Sequence, residues 1–422
     1  MSNIYYGIES EFAKKNINKW INITGRPDVF SVKDENVKKM PPKFLGKYDV
    51  VSIDEALRRY PDAEIWITYA NVNSARIEGK RLLNKVPPGK IHFLESDLEY
   101  RKSCNALGKA LYFMKDKIPM CTRGNRKHPQ IKVAGSVSEI VTQWRDFTKK
   151  LIYANQLDSS NSCLGCPALI YGFWPKSMEI TNLRFLQDLA KDVCNFNCIY
   201  CDAAQAKKWM RLKDEEGPTT CDILRQFAAI PEFQDMGEKF TVTFSNGEFC
   251  ANRYFDEMID ILLGTKWNIS LVSNLSLYRE KLAALMQTGR VTSLITSIDA
   301  GTRETFKKIK QNDMFDRVVE NLTRYPVAKT NLYVKYIFIE NVNDNETDID
   351  GYYQIVKAVG GIIQLSADKK TNATPFTRNE RMRELTLRII RKAKADGIKV
   401  TSDNNNINHQ DVKFISDKYA SA

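Results

Sequence analysis

The chain has 422 residues, 43% of them hydrophobic, and a formal net charge of +12. That length exceeds one ordinary domain and the apolar share supports real cores, so two or three domains are expected. No run of about 18 or more apolar residues occurs, which excludes a membrane-spanning helix, and the opening MSNIYYGIESEF lacks the charged, apolar and small-residue regions of a secretory signal, so a cytosolic protein is expected.

The basic residues are spread over helical stretches (Lys14, Lys15, Lys149, Lys150, Arg391, Lys392, Lys394) rather than gathered with stacking aromatics. A solvated surface is therefore expected, and no nucleic-acid partner. The nine cysteines are clustered, which in a reducing cytosol points to metal or redox chemistry and not to a disulfide framework. The three histidines (His92, His128, His409) are widely separated, so any metal is held mainly by thiolates, favouring zinc or iron–sulfur.

In chain order, residues 1–100 alternate strands (NIYYGI, DVFSV, YDVVS, EIWITYA, KIHFLE) with helices (EFAKKNINKWINI, IDEALRRYP, SARIEGKRLLNK). This alternation predicts a parallel, Rossmann-like sheet. Its first turn, Gly7-Ile8-Glu9-Ser10-Glu11, offers one glycine and two carboxylates where a dinucleotide phosphate would need backbone N–H groups, so a structural or substrate-presenting role is expected. Residues 101–178 form a small cysteine-rich module with little periodicity. Residues 179–402 repeat strand–helix units, with strands at LRFLQDLA, FTVTF, NISLVS, LITSID, LYVKYIFI and IIQLSAD. Six parallel strands with intervening helices predict an α/β fold, an incomplete parallel (β/α)6 barrel whose site lies at the C-terminal strand ends. The helix TRNERMRELTLRIIRKAKAD and strand IKVTS follow, and residues 403–422 read as a polar tail.

Directly after the first barrel strand comes Cys194-Asn195-Phe196-Asn197-Cys198-Ile199-Tyr200-Cys201. Three thiolates on one loop can hold three irons of a cubane and leave the fourth free. A zinc site or a ferredoxin-type cluster would need a fourth ligand, and none lies nearby in sequence. This loop resembles the CxxxCxxC signature of the radical S-adenosylmethionine (SAM) superfamily, including the aromatic Tyr200 before the last cysteine.

Later segments extend the resemblance over roughly residues 180–370. Ser245-Asn246-Gly247-Glu248 resembles the family's GGE turn, in which Glu248 would take the SAM ammonium group, Gly247 would let the backbone approach and Asn246 replaces the first glycine. Ser273-Asn274 stands at the TNG-like position. Ser297-Ile298-Asp299-Ala300 with Thr302 to Lys310 resembles the fourth-strand segment, which implies Ser297 near the SAM carboxylate or ribose and Lys310 in place of the usual arginine. The resemblance implies a 4Fe-4S cluster on Cys194, Cys198 and Cys201, with SAM on its open iron and Tyr200, Asn246, Gly247, Glu248, Asn274, Ser297 and Lys310 around it. It also implies an external electron donor such as flavodoxin or ferredoxin.

Four further cysteines precede the barrel. Cys104 and Cys121 flank an expected hairpin with Asp116-Lys117 at its turn, and Cys163-Leu164-Gly165-Cys166 follows a helix-like stretch. Four thiolates there suit a second 4Fe-4S cluster or structural zinc equally on geometry, and buried thiols are the simplest alternative. The order resembles the auxiliary twitch or SPASM module of radical SAM enzymes, placed ahead of the barrel instead of after it. Cys250 stands at the barrel mouth, where it is expected either as a hydrogen-atom donor or as a small buried hydrophobe, and Cys221 reads as buried.

The resemblance implies reductive cleavage of SAM to a 5′-deoxyadenosyl radical that abstracts hydrogen from the substrate. The N-terminal region loosely resembles Rossmann-like modules ahead of sugar-modifying enzymes, so a small polar, sugar-derived substrate is expected, with dehydrogenation or epimerisation as the outcome. The alternatives are a peptide- or protein-modifying radical SAM enzyme and a non-catalytic zinc or iron–sulfur protein.

Overall fold

The computed structural model describes the chain outside residues 1, 9–10, 45, 105–106, 115–116, 122–129, 158–160, 162, 167, 177–178, 187–193, 202–217, 246, 369–373, 404–406 and 422. It divides into two compact units, one of residues 1–108 and 145–179, the other of residues 109–144 and 180–422.

The first unit is built on a six-stranded sheet. Its five parallel strands lie in the order Tyr48–Ser52, Val29–Val32, Asn3–Tyr6, Glu64–Ile67, Ile91–Phe93, and Lys43–Phe44 pairs antiparallel on the edge. Period-2 side chains split the core. Ile4, Tyr6, Ile65 and Ile67 bury against Ile53, Ala56, Ala75 and Leu82 of the helices Ile53–Arg59 and Val72–Leu82. Tyr5, Phe30 and Val32 bury against Ala13, Ile17 and Trp20 of the helix Glu11–Thr24. Helices on both faces of a parallel sheet make the doubly wound layering expected from the β–α alternation. At the end of the central strand Gly7 takes φ +98°, and a Cβ built there would stand 2.4 Å from the Tyr69 ring. An antiparallel ribbon, Leu98–Ser103 with Ile170–Pro175, completes the unit together with the second half of the helix Val137–Gln156.

The second unit holds an open series of eight parallel strands. From one edge they run Val400–Ser402, Ile362–Ala367, Leu332–Phe338, Val291–Ser297, Asn268–Val272, Thr241–Phe244, Asn182–Phe185 and Ala110–Phe113. Two strands thus extend the six expected. Val400–Ser402 comes from IKVTS, and Ala110–Phe113 had been expected as one arm of a cysteine-flanked hairpin. It is buried at all four residues and pairs Leu111 with Leu183, which suits a continuous apolar run in a parallel sheet. Of the expected hairpin the described residues show the antiparallel bridge Met114–Lys117; Asp116 lies outside the described residues. The strand Lys117–Pro119 pairs instead with Gln130–Lys132.

The helices pack on the sheet face that carries Leu332, Val334, Tyr336 and Phe338. There the Tyr352 hydroxyl donates to Val334 O (2.6 Å) and the Tyr336 and Tyr352 rings lie 4.8 Å apart. Residues 409–421 form a helix, not the polar tail expected. Asp411 anchors it, 1% exposed, by accepting from Phe376 N (3.1 Å), Thr377 N (3.1 Å) and Thr377 Oγ1 (2.6 Å).

Candidate active site at the C-terminal ends of the parallel strands

The cysteine loop is held by the end of the helix Arg303–Lys310. The last carbonyls of a helix have no partner within it, and here Lys310 O accepts from Asn197 N (3.1 Å) and Ile309 O from Ile199 N (3.0 Å). Asn312 Nδ2 donates to Asn195 O at 3.1 Å. Between these bonds Phe196, 3% exposed, stands edge-on to Phe306 at 5.8 Å. Backbone pairing and one aromatic anchor therefore fix the loop in which Cys194, Cys198 and Cys201 are spaced.

The start of the same helix is fixed as well. Buried Asp348 accepts from Gly301 N (3.0 Å), Thr302 N (3.2 Å), Thr302 Oγ1 (3.1 Å) and Thr305 Oγ1 (2.8 Å).

The three thiols feel one another. Burial pushes the Cys194 thiol up to about 12, and the charges of Glu248, Cys198 and Cys201 add to the rise; burial likewise raises Cys198. Iron would displace these protons, since the thiolate is the ligand. Among the described residues no three His, Cys, Asp or Glu side chains gather closely enough to hold one metal ion.

Asn274 Nδ2 lies 3.9 Å from Cys194 Sγ and 2.9 Å from Asn195 Oδ1, while Asn195 Nδ2 donates to Ser276 Oγ (2.8 Å). Asn274 thus belongs beside the loop. In the turn after Thr241–Phe244, Gly247 takes φ +65°, the left-handed region that glycine enters without a Cβ penalty; Asn246 lies outside the described residues. Glu248 is 1% exposed and accepts from Cys250 N (3.0 Å), Ser273 Oγ (2.7 Å) and Asn274 N (2.5 Å). A carboxylate offers about four acceptor positions, and the Cys250 thiol also hydrogen-bonds this one. Burial raises the Glu248 carboxyl, against the hydrogen bonds from Asn274 N, Ser273 Oγ, Cys250 N and the Cys250 thiol, which lower it.

Two of the expected roles do not survive the placement of the side chains. Lys310 is 1% exposed, forms an ion pair with Asp299 and donates to the Tyr200 hydroxyl at 2.8 Å, so its ammonium is not free for a carboxylate of SAM. Tyr200 in turn donates to Asp299 Oδ2 at 2.8 Å. Cys250 is 1% exposed, and burial among Glu248, Ser273 and Tyr325 raises its thiol well above the usual range. A hydrogen-atom donor must reach the substrate, and this one faces the protein interior.

Asp299 takes φ +59° while fully buried. Asn343 Nδ2 donates to its carbonyl at 2.7 Å, and its Oδ1 accepts from Ile337 N at 2.8 Å. Ser297 ends its strand opposite Lys335.

The sheet face opposite the helices is polar. Register places Arg184, Thr243, Ser270 and Ser293 in one row, and Ser297, Lys335, Gln364 and Thr401 in another. Lys335 Nζ pairs with Asp403 Oδ2 at 2.8 Å. Arg184 Nε and Gln364 Oε1 are buried without a hydrogen-bond partner among the described residues. Sequence patterning missed Arg184; a cation within an apolar strand was the available signal.

Of the auxiliary cysteines, Cys104 and Cys163 share a small cluster with Leu107, Leu151, Ile152 and Leu169 in the first unit. Cys163 and Cys166 are joined by a turn, Cys166 N donating to Cys163 O at 2.9 Å with Gly165 at φ +69°. Cys121 belongs to the second unit. Cys221 is wholly buried in the first turn of its helix.

Parallel strand–helix units with three thiols after one strand and a glycine–glutamate turn after the next define the class of radical SAM domains. The family model described as the radical SAM superfamily matches residues 191–350. Members use a 4Fe-4S cluster and SAM. A curated relative, a probable GTP 3′,8-cyclase of Saccharolobus islandicus, is 27% identical over 146 residues, which is 33% of this chain and 43% of that protein. The match thus spans less than half of the relative's length.

Among solved structures, a radical SAM methyltransferase from Sphaerobacter thermophilus aligns with TM-score 0.36 and 18% identity, covering 50% of this chain and 63% of that one. SuiB of Streptococcus suis, bound to S-adenosylmethionine, aligns with TM-score 0.43 and 10% identity over 65% of this chain and 57% of that one.

Proposed function

We propose that the protein acts on a small polar substrate, sugar-derived compounds included, abstracting hydrogen in a dehydrogenation or an epimerisation. The observation that carries this reading is the polar sheet face, where Arg184 Nε and Gln364 Oε1 are buried and unsatisfied. An orphaned buried polar group is costly, about 1–3 kcal/mol, and a hydroxyl-rich ligand relieves it. When bound, a cluster on Cys194, Cys198 and Cys201 supplies the electron that splits SAM into methionine and a 5′-deoxyadenosyl radical.

The chain's own residues do the positioning. The helix end at Ile309 and Lys310 holds the cysteine loop, Asn274 donates toward Cys194, and Glu248 would receive the SAM ammonium group. Gly247 brings the backbone close, and Ser297 faces the rest of the cofactor. Reduced flavodoxin or ferredoxin is the proposed electron donor. A second cluster would draw on Cys104, Cys163 and Cys166. The packing of Cys104 with Cys163 and the tight Cys163–Cys166 turn support it.

Reconstituted without oxygen and reduced with dithionite, the protein is expected to turn SAM into 5′-deoxyadenosine. Cys198→Ala is expected to make none while keeping its circular dichroism. Equal 5′-deoxyadenosine from the two proteins would contradict the assignment.

A further inference from the structure

Arg184 is the last residue but one of the strand Asn182–Phe185, which precedes the cysteine loop, and it lies on the sheet face turned away from the helices. Its Nε is shut off from solvent, and among the described residues the side chain makes no hydrogen bond and no ion pair. Its charge meets the face of the Tyr112 ring instead, with the guanidinium carbon 5.7 Å from the ring centroid. Tyr112 is 6% exposed and pairs in register with Arg184, so the ring is held by its own packing. Lys335, on the same face, is by contrast satisfied. Its ammonium lies 2.8 Å from Asp403 Oδ2.

A guanidinium keeps its proton in a protein. It cannot lower the cost of burial by becoming neutral, as a buried lysine can. The positive charge therefore persists beside the strand end and calls for an anion. An aromatic ring attracts the charge without consuming the five N–H donors. Those donors form a fork whose spacing matches the two oxygens of a carboxylate.

Beyond Arg184 the row continues in hydroxyls, with Thr243, Ser270 and Ser293 at the register positions of the next three strands. Neighbouring strands lie about 4.8 Å apart, so Arg184 and Ser270 are separated by roughly 10 Å. One cation at the end of a run of hydroxyls matches a ligand with one anionic group and several hydroxyls of its own.

We infer that the substrate carries a single carboxylate, bound by Arg184, with its hydroxyls along Thr243, Ser270 and Ser293. A hexuronate is the simplest such compound. The balance of charge selects the carboxylate, because a phosphate monoester brings about 1.5 to 2 negative charges to a face on which Lys335 is already neutralised. The inference rests on the polar sheet face being the substrate site, as proposed above.

The experiment is calorimetric titration of the reconstituted, SAM-loaded protein, left unreduced so that nothing turns over, with D-glucuronate, D-glucose and D-glucose 6-phosphate. Glucuronate is expected to bind at least about tenfold more tightly than glucose. Arg184→Met should bind the two alike, and Arg184→Lys should keep part of the preference. Urea unfolding adds a readout that needs no sugar. Methionine replaces the stem and removes an uncompensated cation, so the Arg184→Met midpoint should equal or exceed that of wild type. A lower midpoint would show that the cation serves the fold and not a ligand. Glucose 6-phosphate binding tightest, a glucuronate preference that survives in Arg184→Met, or SAM weakened in that variant as much as glucuronate would each overturn the inference. Equal binding of glucuronate and glucose by wild type would sink the carboxylate and leave the polar face as a sugar site, whereas no binding of either would sink both.

Discussion

Lys310, Asp299 and Tyr200 form a buried triad that joins the helix end to the cysteine loop. Removing one member of a buried ion pair leaves the other charge without compensation, at about 3–5 kcal/mol. Lys310→Met is therefore expected to lower the urea midpoint sharply, and adding Asp299→Asn should recover part of the loss. A midpoint unchanged in the single variant would show that the pair does not support the fold. The order of the motif was readable in the sequence, because Ser297 to Lys310 follows the family pattern, but the contact was not. Spacing places Lys310 at the site without revealing that Asp299, eleven residues earlier, adopts a left-handed backbone and turns its carboxylate toward it. Phe196, Asn195 and Asn312 were equally silent, since their partners come from distant elements.

The elements differ in how plainly they announce themselves. In the first unit the β–α alternation gave strands and helices nearly as observed, because each buries an apolar face with its own period. The C-terminal helix His409–Ser421 was hidden because its buried residues are only Asp411 and Ile415; a hydrogen-bonded carboxylate leaves no apolar stripe. Asp411→Ala strands three donors, so a loss of about 1–3 kcal/mol per abandoned group sets the scale. Faster hydrogen exchange across Phe376–Arg378 and His409–Ser421 should follow, and unchanged protection would contradict that anchor.

Asp350 ties the helix Glu346–Val359 to Glu380–Ala395 through Arg388 and Lys392. The Arg388 guanidinium, and after it Lys392, hold the carboxyl below its usual range against partial burial. A depressed folded pKa contributes stability above the unfolded value of about 3.9 and loses it as pH falls through the folded one. Wild type and Asp350→Asn should therefore differ in stability above about pH 4 and converge in stronger acid. A gap that widens on acidification would refute this linkage.

At the scale of the molecule, contiguity in sequence misled most around residues 101–178. Expected as one cysteine-rich module, the stretch divides: residues 101–108 and 145–178 belong to the first unit and 109–144 to the second. Cysteine spacing draws attention to thiols, while the apolar run of Ala110–Phe113 quietly extends the parallel sheet. The order of three thiols after one strand and a glycine–glutamate pair after the next was readable in the sequence, since it is local.

The account rests on a cluster held by those three thiols, and iron and sulfide per chain test it most directly. Anaerobically reconstituted wild type should exceed the Cys194→Ala/Cys198→Ala/Cys201→Ala variant by about four irons and four sulfides per chain. The same iron content in both proteins would contradict it.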